Sequence, residues 1–148
     1  MTTSRGIHLQ ANGRLTNQEL ADRIGRSPSP CLPRVRALEA AGVISGYQAV
    51  VDQDVVGLTI TAFVRLKLGS HTTDAVEAVE SRLREIPEVV EAFVLAGDYD
   101  YMLKIVTGSF AAYEALLRDS VREIPGLFSI DTTFAFGVIK HPAPLPIT

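Results

Sequence analysis

The stretch Ala96-Gly97-Asp98-Tyr99-Asp100-Tyr101 lies between two apolar runs, Val89–Leu95 and Met102–Val106. Two strand-like runs joined by a short polar spacer containing glycine predict a β-hairpin. Two carboxylates and two tyrosines are more chemistry than a turn requires, so the loop is also a candidate binding site. The hairpin sits at the centre of an internal repeat. Upstream, the order is strand, helix, Glu85-Ile86-Pro87, strand; downstream it is strand, helix, Glu123-Ile124-Pro125, strand.

Working outward, Thr59–Leu68 alternates as a strand, with Ala62, Val64, Leu66 and Leu68 on one face and Phe63, Arg65 and Lys67 on the other. Thr72 or Thr73 caps a helix whose apolar stripe is Val76, Val79, Leu83 and Ile86. Ser109 caps a second one with Phe110, Tyr113, Leu117, Val121 and Ile124. Phe128–Ile139 reads as the last strand. The tail His141-Pro142-Ala143-Pro144-Leu145-Pro146 is too rich in proline for helix or sheet. The resulting order, β-α-β-β-α-β, predicts an α+β, ferredoxin-like sandwich. Right-handed crossovers place both helices on one sheet face. The other face then carries Phe63, Phe93, Leu95, Met102 and Phe128 or Ala135. A second copy of the chain is the expected cover, giving a homodimer; the N-terminal domain is the alternative.

The first fifty residues read differently. Thr16 with Glu19 forms a capping-box pattern, and Leu20, Ala21 and Ile24 give the helix that follows an apolar face, closed by Gly25. Ser27-Pro28-Ser29-Pro30 offers two starts for a second helix that runs through Val35 and Leu38 to Gly42. Helix, glycine turn and arginine-bearing helix form a helix-turn-helix pattern. Val43-Ile44-Ser45-Gly46-Tyr47 is placed as a wing. Ser27, Ser29 and Arg34 are then the residues nearest the bases; Arg36, Arg26 and Arg23 are phosphate contacts. Pro33 is tolerable if the helix is capped at Ser29 and interior if it is capped at Ser27. Only Ser4–Ala11 is available for a preceding helix, which is expected to be short or frayed. The domain expectation is therefore a winged helix-turn-helix over 1–46, a linker strand over 47–58 and the sandwich over 59–148.

Charge follows this division. Residues 1–50 carry six arginines against Glu19, Asp22 and Glu39, a net of +3, whereas residues 51–148 carry a net of −6. A polyanion such as double-stranded DNA suits the basic front. The single cysteine, Cys31, excludes an internal disulfide and fits a reducing, cytoplasmic setting. The N-terminus lacks a signal-peptide core, and no apolar run reaches membrane-spanning length. His8, His71 and His141 are too scattered to suggest a metal site, and no phosphate-binding glycine motif occurs.

Taken together, Leu15-Thr16-Asn17-Gln18-Glu19-Leu20-Ala21, Ser27–Leu32, Val35–Glu39, Gly42–Tyr47 and Gly97–Tyr101 resemble the Lrp/AsnC family of transcriptional regulators in order and spacing. The resemblance implies dimers through the sheet face, commonly assembled to octamers, and a small effector, usually an amino acid, bound between dimers. It implies as effector-site residues Val94, Ala96, Gly97, Asp98, Tyr99 and Asp100, with Phe110, Thr132 and Thr133. An amino acid needs an acceptor for its ammonium, donors for its carboxylate and an apolar wall. Asp98 or Asp100 supplies the first. Loop amides after Gly97 with Thr132 or Thr133 supply the second, and Val94 with Phe110 the third. No cofactor and no metal are implied. Two features depart from the family pattern: the short first helix, and Pro33 at a position that is usually Arg or Lys. Other readings are an effector-binding oligomer with impaired DNA binding that modulates a related regulator, and a small enzyme using Asp98 and Asp100 as an acid/base pair. The blandest reading makes Tyr99, Tyr101 and Met102 strand-end packing and the two carboxylates turn caps.

Overall fold

A computed structural model describes residues 2–25 and 28–147, and side chains from Gly6 onward apart from residues 28–30. The chain forms two compact units: Met1–Val50 with Ile139–Thr148, and Val51–Val138.

The first unit has three helices: α1 (Thr2–Ala11), α2 (Asn17–Arg23) and α3 (Pro28–Ala40). Their core is Leu9, Leu20, Ala21 and Cys31, with Leu15, Ile24, Val35 and Ile44 packed around it. Cys31 is fully buried and serves packing. The capping box at α2 forms in full. Glu19 N–H donates to Thr16 Oγ1 at 3.1 Å, and Thr16 N–H donates to Glu19 Oε2 at 2.9 Å. With two orphan donors satisfied by one side chain each, Thr16→Ala is expected to destabilise this unit by about 1 kcal/mol. Chemical denaturation followed by helical circular dichroism checks this.

Gly42 takes φ +75°, and the amides of Val43 and Ile44 both donate to the Leu38 carbonyl, closing α3. The residues expected to form a wing, Val43–Tyr47, make no strand ladder. Tyr47 is instead fixed to α3, its hydroxyl donating to Glu39 Oε1 at 2.9 Å. The expected linker strand is also absent. Asp52 Oδ1 accepts from the amides of Asp54 and Val55, and this side-chain turn closes 53–57 with Gly57 at φ +81°.

The second unit is a four-stranded antiparallel sheet with helices. Its elements are β1 (Ile60–Leu68), α4 (Thr73–Glu85), β2 (Val89–Val94), β3 (Tyr101–Thr107), α5 (Phe110–Leu116) and β4 (Leu127–Phe134). The sheet order is β2-β3-β1-β4, the expected ferredoxin-like arrangement. The alternation of β1 is as read: Ala62, Val64, Leu66 and Leu68 are buried, against Val79, Leu83, Leu103, Ile105 and Tyr113. Thr72 Oγ1 and Ser109 Oγ cap the two helices by accepting from Ala75 and Ala112.

Two boundaries differ from expectation. The last helix does not stay α-helical; from Leu117 to Val121 it widens into a π-turn, with the buried Val121 still facing the core. β4 stops at Phe134, not Ile139. Phe134 already lies opposite Ala62, and Ala135 N–H makes the next bond to Thr61. Beyond that β1 has nearly run out, so Phe136 and Ile139 are left fully exposed.

The candidate DNA and effector sites

Within the first unit, Arg23 ends α2 and is exposed, as is Arg36 on α3; Arg34 is half-buried. Ser29 falls in the first turn of α3, but its side chain is not among those described. Arg26 and Ser27 lie outside the described residues. Pro33 is inside α3, not in its first turn, and is exposed. It removes one helical donor and leaves the carbonyl one turn back without that partner.

In the second unit, the loop Leu95–Asp100 is held by its backbone. Asp100 N–H donates to the Leu66 carbonyl at 2.8 Å, and Leu95 N–H donates to the Asp100 carbonyl at 2.9 Å. The Asp100 carboxylate is also engaged. Leu68 N–H donates to Oδ2 at 2.7 Å, and His71 Nε2 lies 2.9 Å from Oδ1. The Leu68 amide sits at the β1 register shift, where the ladder skips a residue; Asp100 supplies the acceptor there. These bonds, the Leu68 amide first and His71 second, hold the carboxyl below its ordinary pKa. Asp98 is exposed and within electrostatic reach of Arg65. Gly97 has open space on its Cβ side, and Ala96 is exposed.

Tyr99 is not strand-end packing. Its ring lies under the Arg65 guanidinium, 4.2 Å from centroid to Cζ. Arg65 in turn donates through Nε and Nη2 to Asp131 Oδ2 on β4, at 3.0 and 2.7 Å. Sequence reasoning missed both Arg65 and Asp131. They are 66 residues apart, so no local pattern connects them; the one signal was Arg65 alternating onto the less apolar face of β1.

The remaining candidates lie elsewhere. Phe110 packs edge-on against Phe134, ring centroids 5.0 Å apart, and Tyr113 does the same at 5.1 Å. The Tyr113 and Thr132 hydroxyls are hydrogen-bonded, and burial raises the Tyr113 pKa. Thr132 therefore faces the helices. Thr133, one residue on, pairs with Phe63 and faces the open side with it. The loop is attached at Leu66 and Leu68, whereas Phe110 follows Thr107, opposite Ile60. Six strand residues separate those attachment points, roughly 20 Å. One chain brings together the loop residues as one cluster and Phe110 with Phe134 and Tyr113 as another, while Thr132 lies mid-strand opposite Val64. It does not bring the two clusters to a common point.

Val94 lines a groove of about 260 Å³ between α4 and β2, with Glu80, Leu83, Arg84, Phe93 and Tyr101 among its other walls. None of the other effector candidates lines it. Among the described residues, no group of His, Cys, Asp and Glu is placed to hold a metal ion. No described helix is long and apolar enough to cross a membrane.

Comparison with known proteins bears on both units. Residues 7–45 match the winged helix-turn-helix DNA-binding model, and residues 61–145 match the Lrp/AsnC ligand binding domain. The leucine-responsive regulatory protein of Klebsiella pneumoniae is 35% identical over 133 residues, 90% of this chain and 81% of that one. A transcriptional regulator of Neisseria meningitidis, solved as its L-Met complex, superposes with a TM-score of 0.92 at 36% identity, covering 98% of this chain and 94% of that one. A feast or famine regulatory protein of M. tuberculosis, complexed with L-methionine, gives a TM-score of 0.83 at 32% identity, with 93% and 91% covered. An N-terminal helix-turn-helix joined to this ligand-binding sheet, matched over nearly the whole chain, places the protein in the Lrp/AsnC family of DNA-binding transcriptional regulators.

Proposed function

We propose that the protein is a sequence-specific, cytoplasmic DNA-binding regulator whose assembly or DNA affinity responds to an amino acid bound between dimers. The observation that carries this reading is the separation of the effector candidates. The Ala96–Asp100 loop is attached at the Leu66–Leu68 end of β1, whereas Phe110 follows Thr107 beyond the Ile60 end, with Thr132 mid-strand opposite Val64, so a site using both the loop and Phe110 takes them from two copies of the chain. Phe63 and Phe93 remain exposed on the sheet, and a homodimer packed through that face covers them. Dimers meeting at the loops then build the higher assembly, an octamer in the proposed reading.

The geometry refines the roles. Asp100 already holds Leu68 and His71, so Asp98 is the better acceptor for an ammonium group. Thr132 is engaged with Tyr113 and Thr133 shares the sheet face with Phe63, which leaves the loop amides after Gly97 for the carboxylate. Val94 and Phe110, 74% and 61% exposed, form an apolar wall. That wall suits an aliphatic or thioether side chain, as in the L-methionine held by two of the similar structures. In the DNA-binding unit, Ser27, Ser29 and Arg34 face bases, and Arg23, Arg26 and Arg36 hold phosphates.

Thermal unfolding in the presence of each of the twenty amino acids tests the sensing role. A ligand of the folded state raises the midpoint. A rise with an apolar amino acid and none with Asp or Lys is expected; no shift with any of the twenty contradicts it. Pro33 inside α3 favours one second reading, an effector-binding oligomer that binds DNA weakly and modulates a relative.

A further inference from the structure

The C-terminal segment departs from the sandwich that precedes it and belongs to the first unit. Leu145 N–H donates to Gln10 Oε1 at 2.6 Å, and Gln10 Nε2 donates to the Leu145 carbonyl at 3.3 Å. One carboxamide thus reads both backbone groups of one residue, as a neighbouring strand would. Pro144 and Pro146 flank Leu145 and have no N–H to offer, which makes the Leu145 amide the donor at that point. Ile147 N–H turns back to the Leu145 carbonyl at 2.8 Å. A Cβ on Gly6 would sit 3.7 Å from Ile147 Cδ1. Gly6 and Gln10 are four residues apart, hence on one face of α1.

Three prolines in seven residues restrict the free segment, so less freedom is lost when it docks. The contact covers part of Ile147, which is 39% exposed, and leaves Leu145 71% exposed. It is held by the two hydrogen bonds to Gln10 and the Ile147 contact at Gly6, a small set that makes it releasable. At ten residues, α1 is below the length at which an isolated helix is stable, and it depends on what packs against it. The same segment follows β4, which carries Thr132 and Thr133, after only four residues, so the chain passes between its two units at 50–51 and again at 138–139.

We propose that residues 141–147 are a releasable strap that docks on the Gly6–Gln10 face of α1 and sets how firmly the DNA-binding unit holds DNA. The DNA part rests on the regulator reading above; the docking part does not. The full chain is compared with Gln10→Ala and with a chain ending at His141. Amide hydrogen exchange is followed in α1, with α4 as the internal reference, and DNA affinity is measured by fluorescence anisotropy. Losing two hydrogen bonds is expected to speed exchange in α1 roughly ten-fold in both variants while leaving α4 unchanged. Alanine is the better helix former, so faster exchange in Gln10→Ala cannot come from propensity. DNA affinity is expected to fall in both. Exchange in α1 at the full chain's rate in both variants overturns the strap. Faster exchange with unchanged DNA affinity overturns its link to DNA. Failure of the full chain to bind any DNA contradicts the regulator reading, and the exchange result still decides the docking.

Discussion

Asp100→Ala is expected to weaken the response to the effector by about ten-fold or more while leaving the dimer intact. The substitution removes the acceptor of the Leu68 amide at 2.7 Å and the partner of His71 at 2.9 Å. The loop that carries Gly97 and Asp98 then loses its carboxylate anchor to β1 and keeps its two backbone bonds and the Tyr99–Arg65 contact. An orphaned, partly buried amide costs roughly 1–3 kcal/mol, and a misplaced loop lowers ligand affinity by at least about ten-fold if 1.4 kcal/mol of that reaches the site. Calorimetry with the amino acid that raises the melting temperature reads the affinity, and sedimentation reads the dimer. Unchanged affinity removes the loop from the effector site. The same anchor has a pH signature. Because the folded-state pKa of Asp100 is lowered, its contribution is fully present above the ordinary carboxylate value, about 4. It fades as pH falls through the folded value. Ligand affinity is therefore expected to be insensitive to this group between pH 5 and 8, as rough bounds, and to fall in stronger acid.

Pro33→Arg is expected to strengthen DNA binding about ten-fold or more and to steepen its salt dependence. Proline in a helix interior costs roughly 3 kcal/mol relative to alanine, and Pro33 lies inside α3 on an exposed surface. Arginine there restores the missing donor and adds a cation beside Arg34 and Arg36. One further phosphate contact steepens the slope of log affinity against log salt by about 0.9. Anisotropy titrations at several salt concentrations read both numbers. An unchanged slope places residue 33 away from the phosphates. An unchanged affinity shows that the proline does not impair the helix as it sits on DNA.

The parts of this molecule that were legible in the sequence are those with local causes. Val64 and Leu66 alternate, Thr16 and Glu19 are three apart, and Glu85-Ile86-Pro87 is echoed by Glu123-Ile124-Pro125. Each of these signals fixes an element without help from the rest of the chain. What could not be read depends on distant partners. In the sequence Tyr99 reads as an effector-loop residue or as strand-end packing, and nothing near it announces Arg65; Arg65 reads only as a residue of the second face of β1, because Asp131 is 66 residues away. The end of β4 at Phe134 is set by where β1 begins, not by the apolar run that continues to Ile139. The linker strand expected of 47–58 fails because Asp52 coils the chain there, and the segment Val43–Tyr47 is held to α3 by Tyr47 without making a strand ladder. The proline-rich tail read correctly as neither helix nor strand, yet its partner Gln10, 135 residues away, left no trace. In the candidate site, the residue types were legible and their division between two clusters was not, because strand pairing sets that division.

The most direct measurement is a titration of the protein onto the DNA upstream of its own coding region, at low and moderate salt, with and without the amino acid that raises its melting temperature. The proposed function predicts binding that weakens with salt and shifts several-fold with that amino acid, the coupling expected of two linked sites. Contradiction would be a chain with a folded helix-turn-helix that leaves this DNA unbound at low salt, or one whose affinity is the same with the amino acid as without it.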